Sequence, residues 1–197
     1  VFRTGDSEVA LRKSHMQMVS GIQDALRKNR FELFAQPIVP LKAGDHLHAE
    51  ILLRLQGDNG EYLSPGIFLP AAERYHLMPS IDRWVVTKAL RTLEESRVFC
   101  QFPDLVFTIN LTGQSLSDPG FESFVGQLLD NYDFPKSSIC FEITETTAID
   151  DLVRAQEFIA AMRKRDIMFA LDDFGTGLSS FSYLQQLLLL SFLYPII

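Results

Sequence analysis

Five side chains stand where a chain of this make-up places chemistry: Glu50, Asn110, Glu142, Asp172 and Asp173. Each lies in or at the end of a mostly apolar run: "HLHAEILLRL" (46–55), "DLVFTINL" (104–111), "SSICFEIT" (137–144) and "DIMFALDD" (166–173). Carboxylates and an amide converging on one face would repel one another if bare, and one acid would have to hold a proton at raised pKa. A divalent ion removes that conflict. Oxygen donors without His or Cys suit hard ions, Mg²⁺ or Mn²⁺, with Ca²⁺ as a further candidate. Two such ions close together activate water and stabilise the leaving oxygen of a phosphodiester. Taken singly, each acid reads better as a helix cap, a loop acid or a solvated charge. Their recurrence at successive strand ends is what points to a site.

The elements that must position them alternate. Residues 7–29 read as a helix, with Leu11, His15, Val19, Ile22 and Leu26 on one face. "RFELFAQPIVP" and 46–55 read as strands. Ser64 caps a helix with Pro65 at its first position, Pro70 opens the next turn, and Ser80 starts another helix that carries Trp84, Val85 and Leu90 inward. Strands at 104–111, 137–144 and 166–173 are separated by a helix from Asp118-Pro119 (Phe121, Phe124, Val125 and Leu128 on one face) and a helix over 150–164. Ser179 or Ser180 caps a last helix through Leu187. The strand runs are continuously apolar, as in strands covered on both faces, so the expected class is α/β with a mainly parallel sheet. The carboxyl ends of such strands share one edge, where sites are built.

Composition narrows the function. The 197 residues suit one domain, or one domain and a connector, and 47% are hydrophobic, enough for a core. A formal net charge of −7 with no basic run disfavours DNA, RNA polymers and anionic membranes as partners. Cys100 and Cys140 form no metal-like spacing and read as reduced core thiols of a cytoplasmic protein. The apolar run over 187–197 is too short to cross a bilayer, so no membrane contact is expected of this segment. The chain starts with Val and reads as part of a longer protein. His46 and His48 alternate on an exposed strand face, and His76 sits in a loop. "DFGTG" lacks the spacing of a phosphate-cradling loop, so its glycines serve a turn.

The segments "FELFAQPIV", "AEILLRL", "SPGIFLPAAE", "TINLTGQSL", "CFEITET" and "LDDFGTGLSSFSYL" resemble, in order, those of the EAL domain, the bacterial cyclic di-GMP phosphodiesterase domain. The resemblance covers 31–187. It implies a modified TIM (β/α) barrel with an antiparallel first strand, of which this chain supplies about five or six strands. It implies hydrolysis of cyclic di-GMP to linear pGpG with two Mg²⁺ or Mn²⁺ ions. By similarity, Glu50, Asn110, Glu142, Asp172 and Asp173 are metal ligands, with Glu50, Asp172 and Asp173 catalytic. Gln36 and Arg54 bind the dinucleotide, and Glu145 anchors the loop after the Asp pair. Residues 1–30 resemble a connector helix from an upstream GGDEF or sensor module in a parent protein that can itself be membrane-anchored. A homodimer is the family expectation.

Three positions depart from the family pattern: Ile51 replaces an alanine beside Glu50, Thr112 a serine, and Leu178 an aromatic or polar residue. The tail 188–197 carries no Lys, Asp or Glu, where the family continues with a lysine-bearing strand. Bulk at Ile51 is expected to press on the site. The alternative reading is therefore a catalytically impaired EAL domain that binds cyclic di-GMP or another protein.

Overall fold

Successive side chains of each strand point to opposite faces of one sheet, and the helices take one of those faces. The computed structural model describes residues 4–39, 47–57 and 59–172, with side chains from residue 16 onward except at 148–150. The side chain of His15, His46, Asp173, Leu178, the helix expected up to Leu187 and the tail lie outside the described residues.

The first helix, α1 (Thr4–Arg27), leads into β1 (Phe31–Ile38) and β2 (His48–Gln56). A turn containing Gly60 at φ +83°, a conformation that favours glycine, returns the chain as the short strand β3 (Tyr62–Leu63). Then come α2 (Pro65–Arg74), α3 (Met78–Ser96), α4 (Val98–Gln101), β4 (Val106–Asn110), α5 (Gly113–Leu116) and α6 (Phe121–Asp130). A 3₁₀ turn (Lys136–Ser138) precedes β5 (Ile139–Thr144), α7 (Glu145–Asp150), α8 (Leu152–Arg163) and β6 (Met168–Asp172).

The sheet runs β1-β2-β4-β5-β6, with β3 paired to β2. β1 is antiparallel to β2, while β2–β4, β4–β5 and β5–β6 are parallel. The expected α/β class and antiparallel first strand are both present. Among the described residues the sheet is open, with β1 and β6 as its edges. The parallel strands carry a helix-facing set (Ile51, Phe107, Ile109, Ile139, Phe141, Ile143, Phe169) that joins Val85, Val86, Ala89, Val125 and Phe158 in the main core. The opposite face has a small apolar floor of its own, Val106, Cys140 and Ala170 with Met168 against it. That floor is why the runs read as continuously apolar.

Several boundaries differ from expectation. Pro70 lies inside α2 rather than opening a new turn; its missing N–H falls opposite the Gly66 carbonyl, one turn from the helix start. α3 begins at Met78, with Pro79 in its first turn, two residues before Ser80. Trp84 is only partly buried, and its indole N–H donates to Asn29 Oδ1 at 3.1 Å. The helix expected over 150–164 is α8, and a short helix that the sequence did not announce, α7, precedes it. Thr144 accepts from Thr147 N at 3.2 Å and caps α7, and Asp151 accepts from Arg154 N at 3.3 Å and caps α8. Cys140 is buried as expected, but Cys100 is exposed on the short α4.

Candidate active site and metal centre

Register decides which side chains meet. Gln36 lies directly opposite Glu50, Glu50 pairs with Thr108, Asn110 with Glu142, and Thr144 with Asp172. Residues on one rung point to the same face, and alternate residues along a strand share it. Gln36, Glu50, Arg54, Asn110, Glu142 and Asp172 therefore all lie on the face opposite the helices. Ile51 points the other way. It is 8% exposed, packed within the helix-side core. The expectation that its bulk presses on the site is corrected by strand parity.

One polar contact joins two of the predicted ligands: Asn110 Nδ2 donates to Glu50 Oε1 at 2.9 Å. Asn110 is exposed at the end of β4, and the chain turns directly after it, where Leu111 N donates to the Glu142 carbonyl at 2.8 Å. Glu142 is 7% exposed and stands above Cys140 on the same strand face. Burial pushes the Cys140 thiol up to about 12, the Glu142 charge adding to the shift and the nearby Thr108 hydroxyl opposing it. This thiol stays protonated and is part of the floor. Asp172 is exposed at the end of β6. Glu145, at the start of α7, is 4% exposed; the loop it is expected to anchor lies outside the described residues.

Among the described residues no three His, Cys, Asp or Glu side chains meet as a ready-made cluster. The donor chemistry nevertheless fits a hard ion. Three carboxylates and an amide oxygen share one face, and the Asn110 amide spends its N–H on Glu50, which leaves its carbonyl oxygen as the donor suited to a cation.

Arg54 is partly buried. Its Nη1 donates to the Leu53 carbonyl at 2.8 Å, and its guanidinium carbon lies 5.9 Å from the centroid of the Phe34 ring. Phe34 meets Tyr62 edge-on at 5.3 Å, and both rings are about half exposed, at 45% and 47%. Arg54, Phe34 and Tyr62 thus form a cationic and aromatic rim beside the acids.

Two features of this site escaped sequence reasoning. Tyr62 rests on a two-residue strand, too short for any periodic signal. Asp82 sits within the buried stripe of α3 (Ile81, Val85, Val86), and a carboxylate inside an apolar stripe was the available signal.

The EAL domain family model matches residues 20–189. The chain belongs to the EAL domain family. This EAL chain is 37% identical over 188 residues to the cyclic di-GMP phosphodiesterase PdeB of Shewanella oneidensis, across 95% of its own length and 22% of that protein's. It is 38% identical over 174 residues to the cyclic di-GMP phosphodiesterase PdeF of Escherichia coli, across 88% of its own length and 23% of that protein's. It therefore spans less than a quarter of either relative. The crystal structure of the FimX EAL domain from Pseudomonas aeruginosa bound to c-di-GMP superposes with a TM-score of 0.77 at 30% identity, covering 85% of this chain and 66% of that one. The PaMucR phosphodiesterase in complex with c-di-GMP gives 0.78 at 28%, covering 86% and 68%. The fold is accordingly that of the TIM-barrel-like EAL domains. No described helix is long and apolar enough to cross a membrane.

Proposed function

We propose that this EAL domain binds cyclic di-GMP and hydrolyses one of its phosphodiester bonds to give linear pGpG. The observation that carries the reading is the shared sheet face of Gln36, Glu50, Asn110, Glu142 and Asp172, with Asn110 bonded to Glu50. Glu50, Asn110, Glu142 and Asp172 would hold Mg²⁺ or Mn²⁺, with Asp173 completing a two-ion set. When bound, the ions lower the pKa of a water and offset the charge of the phosphodiester.

The chain's own groups do the rest. The Asn110–Glu50 bond keeps one carboxylate oxygen engaged and orients the other donors. The floor of Val106, Cys140, Ala170 and Met168 excludes water from beneath the acids. The planar guanidinium of Arg54 suits a phosphate oxygen, and its Leu53 and Phe34 contacts restrict its motion before substrate arrives. Gln36, exposed opposite Glu50, offers an amide to the same ligand. The exposed Phe34 and Tyr62 rings provide flat apolar surface against which a purine base can stack. Glu145 would anchor the loop after the Asp pair. Residues 1–30 would couple the domain to an upstream GGDEF or sensor module, and a homodimer and cytoplasmic placement belong to the same reading.

The test is turnover of cyclic di-GMP by the full chain with Mn²⁺. Formation of pGpG is expected, and Glu50→Ala should lower it by more than the ~10–100-fold typical of residues that merely orient a ligand. Binding without turnover would replace the hydrolase reading with that of a cyclic di-GMP receptor. Absence of both would leave a protein-interaction module.

A further inference from the structure

Asp82 lies on α3, outside the sheet face that carries the acids, yet its carboxylate reaches the loop that leaves that face. Its Oδ2 accepts three hydrogen bonds, from Thr112 N at 3.0 Å, Thr112 Oγ1 at 2.7 Å and Ser115 Oγ at 2.6 Å. The two hydroxyls also stand 3.2 Å apart. The side chain is 4% exposed. The neighbouring cation is turned elsewhere: Arg83 donates to Asp118 at 2.9 Å and lies 5.4 Å from both the Phe121 and Phe124 ring centroids. Asp82 is thus a buried carboxylate held chiefly by donors from 112–115. A buried carboxyl group is a poor choice if stability were its whole purpose, since taking it out of water costs free energy that its hydrogen bonds must first offset.

The segment it holds begins two residues after Asn110. Across Leu111 the backbone is fixed at two consecutive peptides. Leu111 N bonds to the Glu142 carbonyl of β5, and Thr112 N bonds to Asp82 of α3. These two bonds set the direction in which the end of β4 leaves the sheet, and with it the orientation of the Asn110 side chain toward Glu50. We infer that Asp82 is a positioning residue for the metal centre, acting through the Thr112 backbone and hydroxyl to aim Asn110. The departure Thr112 for serine fits this role, because either residue supplies the hydroxyl that Asp82 receives. The inference rests on the proposed metal-ligand role of Asn110.

Its test uses Mn²⁺ alone as the probe, titrated into the full chain and read by the electron paramagnetic resonance of the free ion. The side-chain amide resonances of Asn110 and the thermal midpoint are read in parallel. Asp82→Asn and Thr112→Val should each weaken Mn²⁺ binding by about 10–100-fold and shift the Asn110 amide, while Thr112→Ser leaves both unchanged. Thr112→Val keeps shape and removes only the hydroxyl, so it decides the matter if Asp82→Asn does not fold. A lowered midpoint with unaltered Mn²⁺ affinity and an unmoved Asn110 amide in the folded variants would overturn the inference and leave Asp82 a structural tie. If the wild-type chain binds no Mn²⁺, it is the metal reading that fails. The Asn110 amide then still decides the tie: moved in Thr112→Val it supports the aiming role, unmoved it overturns it.

Discussion

Ile51 and Glu50 are neighbours in sequence and strangers in space. Strand parity puts the carboxylate on the site face and the isoleucine among the helix-side core residues, beside an apolar cavity of about 290 Å³ lined in part by Leu33, Ala89, Leu93 and Phe107. Restoring the family's alanine at this position should therefore damage stability rather than repair a site. Ile51→Ala is expected to cost about 2–4 kcal/mol in denaturant unfolding, with the rate per folded molecule unchanged. A rise in that rate would show that Ile51 does press on the acids. The cysteines make a second contrast. Exposed Cys100 should react with a thiol reagent at mildly alkaline pH, whereas Cys140, buried with its pKa near 12, should react only on unfolding. Mass spectrometry of the labelled chain distinguishes one adduct from two. The candidate ligands were legible at this scale because acids ending apolar runs are costly without a reason. The exposure of Cys100 was not, because a lone thiol in a mixed segment carries no periodic signal.

At the scale of elements, what sequence pattern blurs are the short pieces that the site depends on. The 3–4 spacing of Leu152, Ala155, Ile159 and Met162, with Phe158 beside them, announces α8 clearly, but α7 hides in front of it. What separates them is capping chemistry: the Thr144 hydroxyl satisfies an N–H of α7, and the Asp151 carboxylate one of α8. Asp151→Ala should lower stability by about 1 kcal/mol, read as a shift in the denaturant midpoint at unchanged slope. An unchanged midpoint would mean that water replaces the cap without loss. Pro70 illustrates the opposite ambiguity. A proline near the start of a helix and one that opens the next share the same local sequence, and only the run of the backbone through Ala71 and Ala72 into the core distinguishes them.

For the whole molecule, pH dependence follows from carboxylates of two kinds. Asp118, bridging to Arg83 across α3 and the start of α6, is held below the ordinary aspartate range, first by the Arg83 hydrogen bond and then by the Gly120 N–H. Asp130 is likewise lowered, chiefly by its bond to Arg165. A lowered native pKa means that the unfolded chain binds its proton first as pH falls. The contribution is therefore complete above the unfolded value of about 4 and is lost as pH drops through the folded value. Asp82 has the opposite sign. Burial raises it, with the Ser115 and Thr112 hydrogen bonds opposing. Its contribution is full below the unfolded value and lost as pH rises through the raised one. Stability measured against pH should thus fall below about pH 4 less steeply in Asp118→Asn than in the wild type. A parallel curve for that variant would show the bridge to be without effect.

The sequence by itself determined the α/β class, the antiparallel first strand and the family, and it singled out the candidate acids. Each of these is written in local period, in residue type at a strand end, or in motifs that keep their order along the chain. Tertiary structure alone decided which of those residues share a face, that Ile51 is core, that an aromatic pair flanks Arg54, and that Asp82 ties α3 to the loop after Asn110. The physical reason is that these facts live in pairings between distant segments. A register such as Gln36 opposite Glu50, or a carboxylate meeting a backbone N–H 30 residues away, arises only when strands and helices pack around a common core.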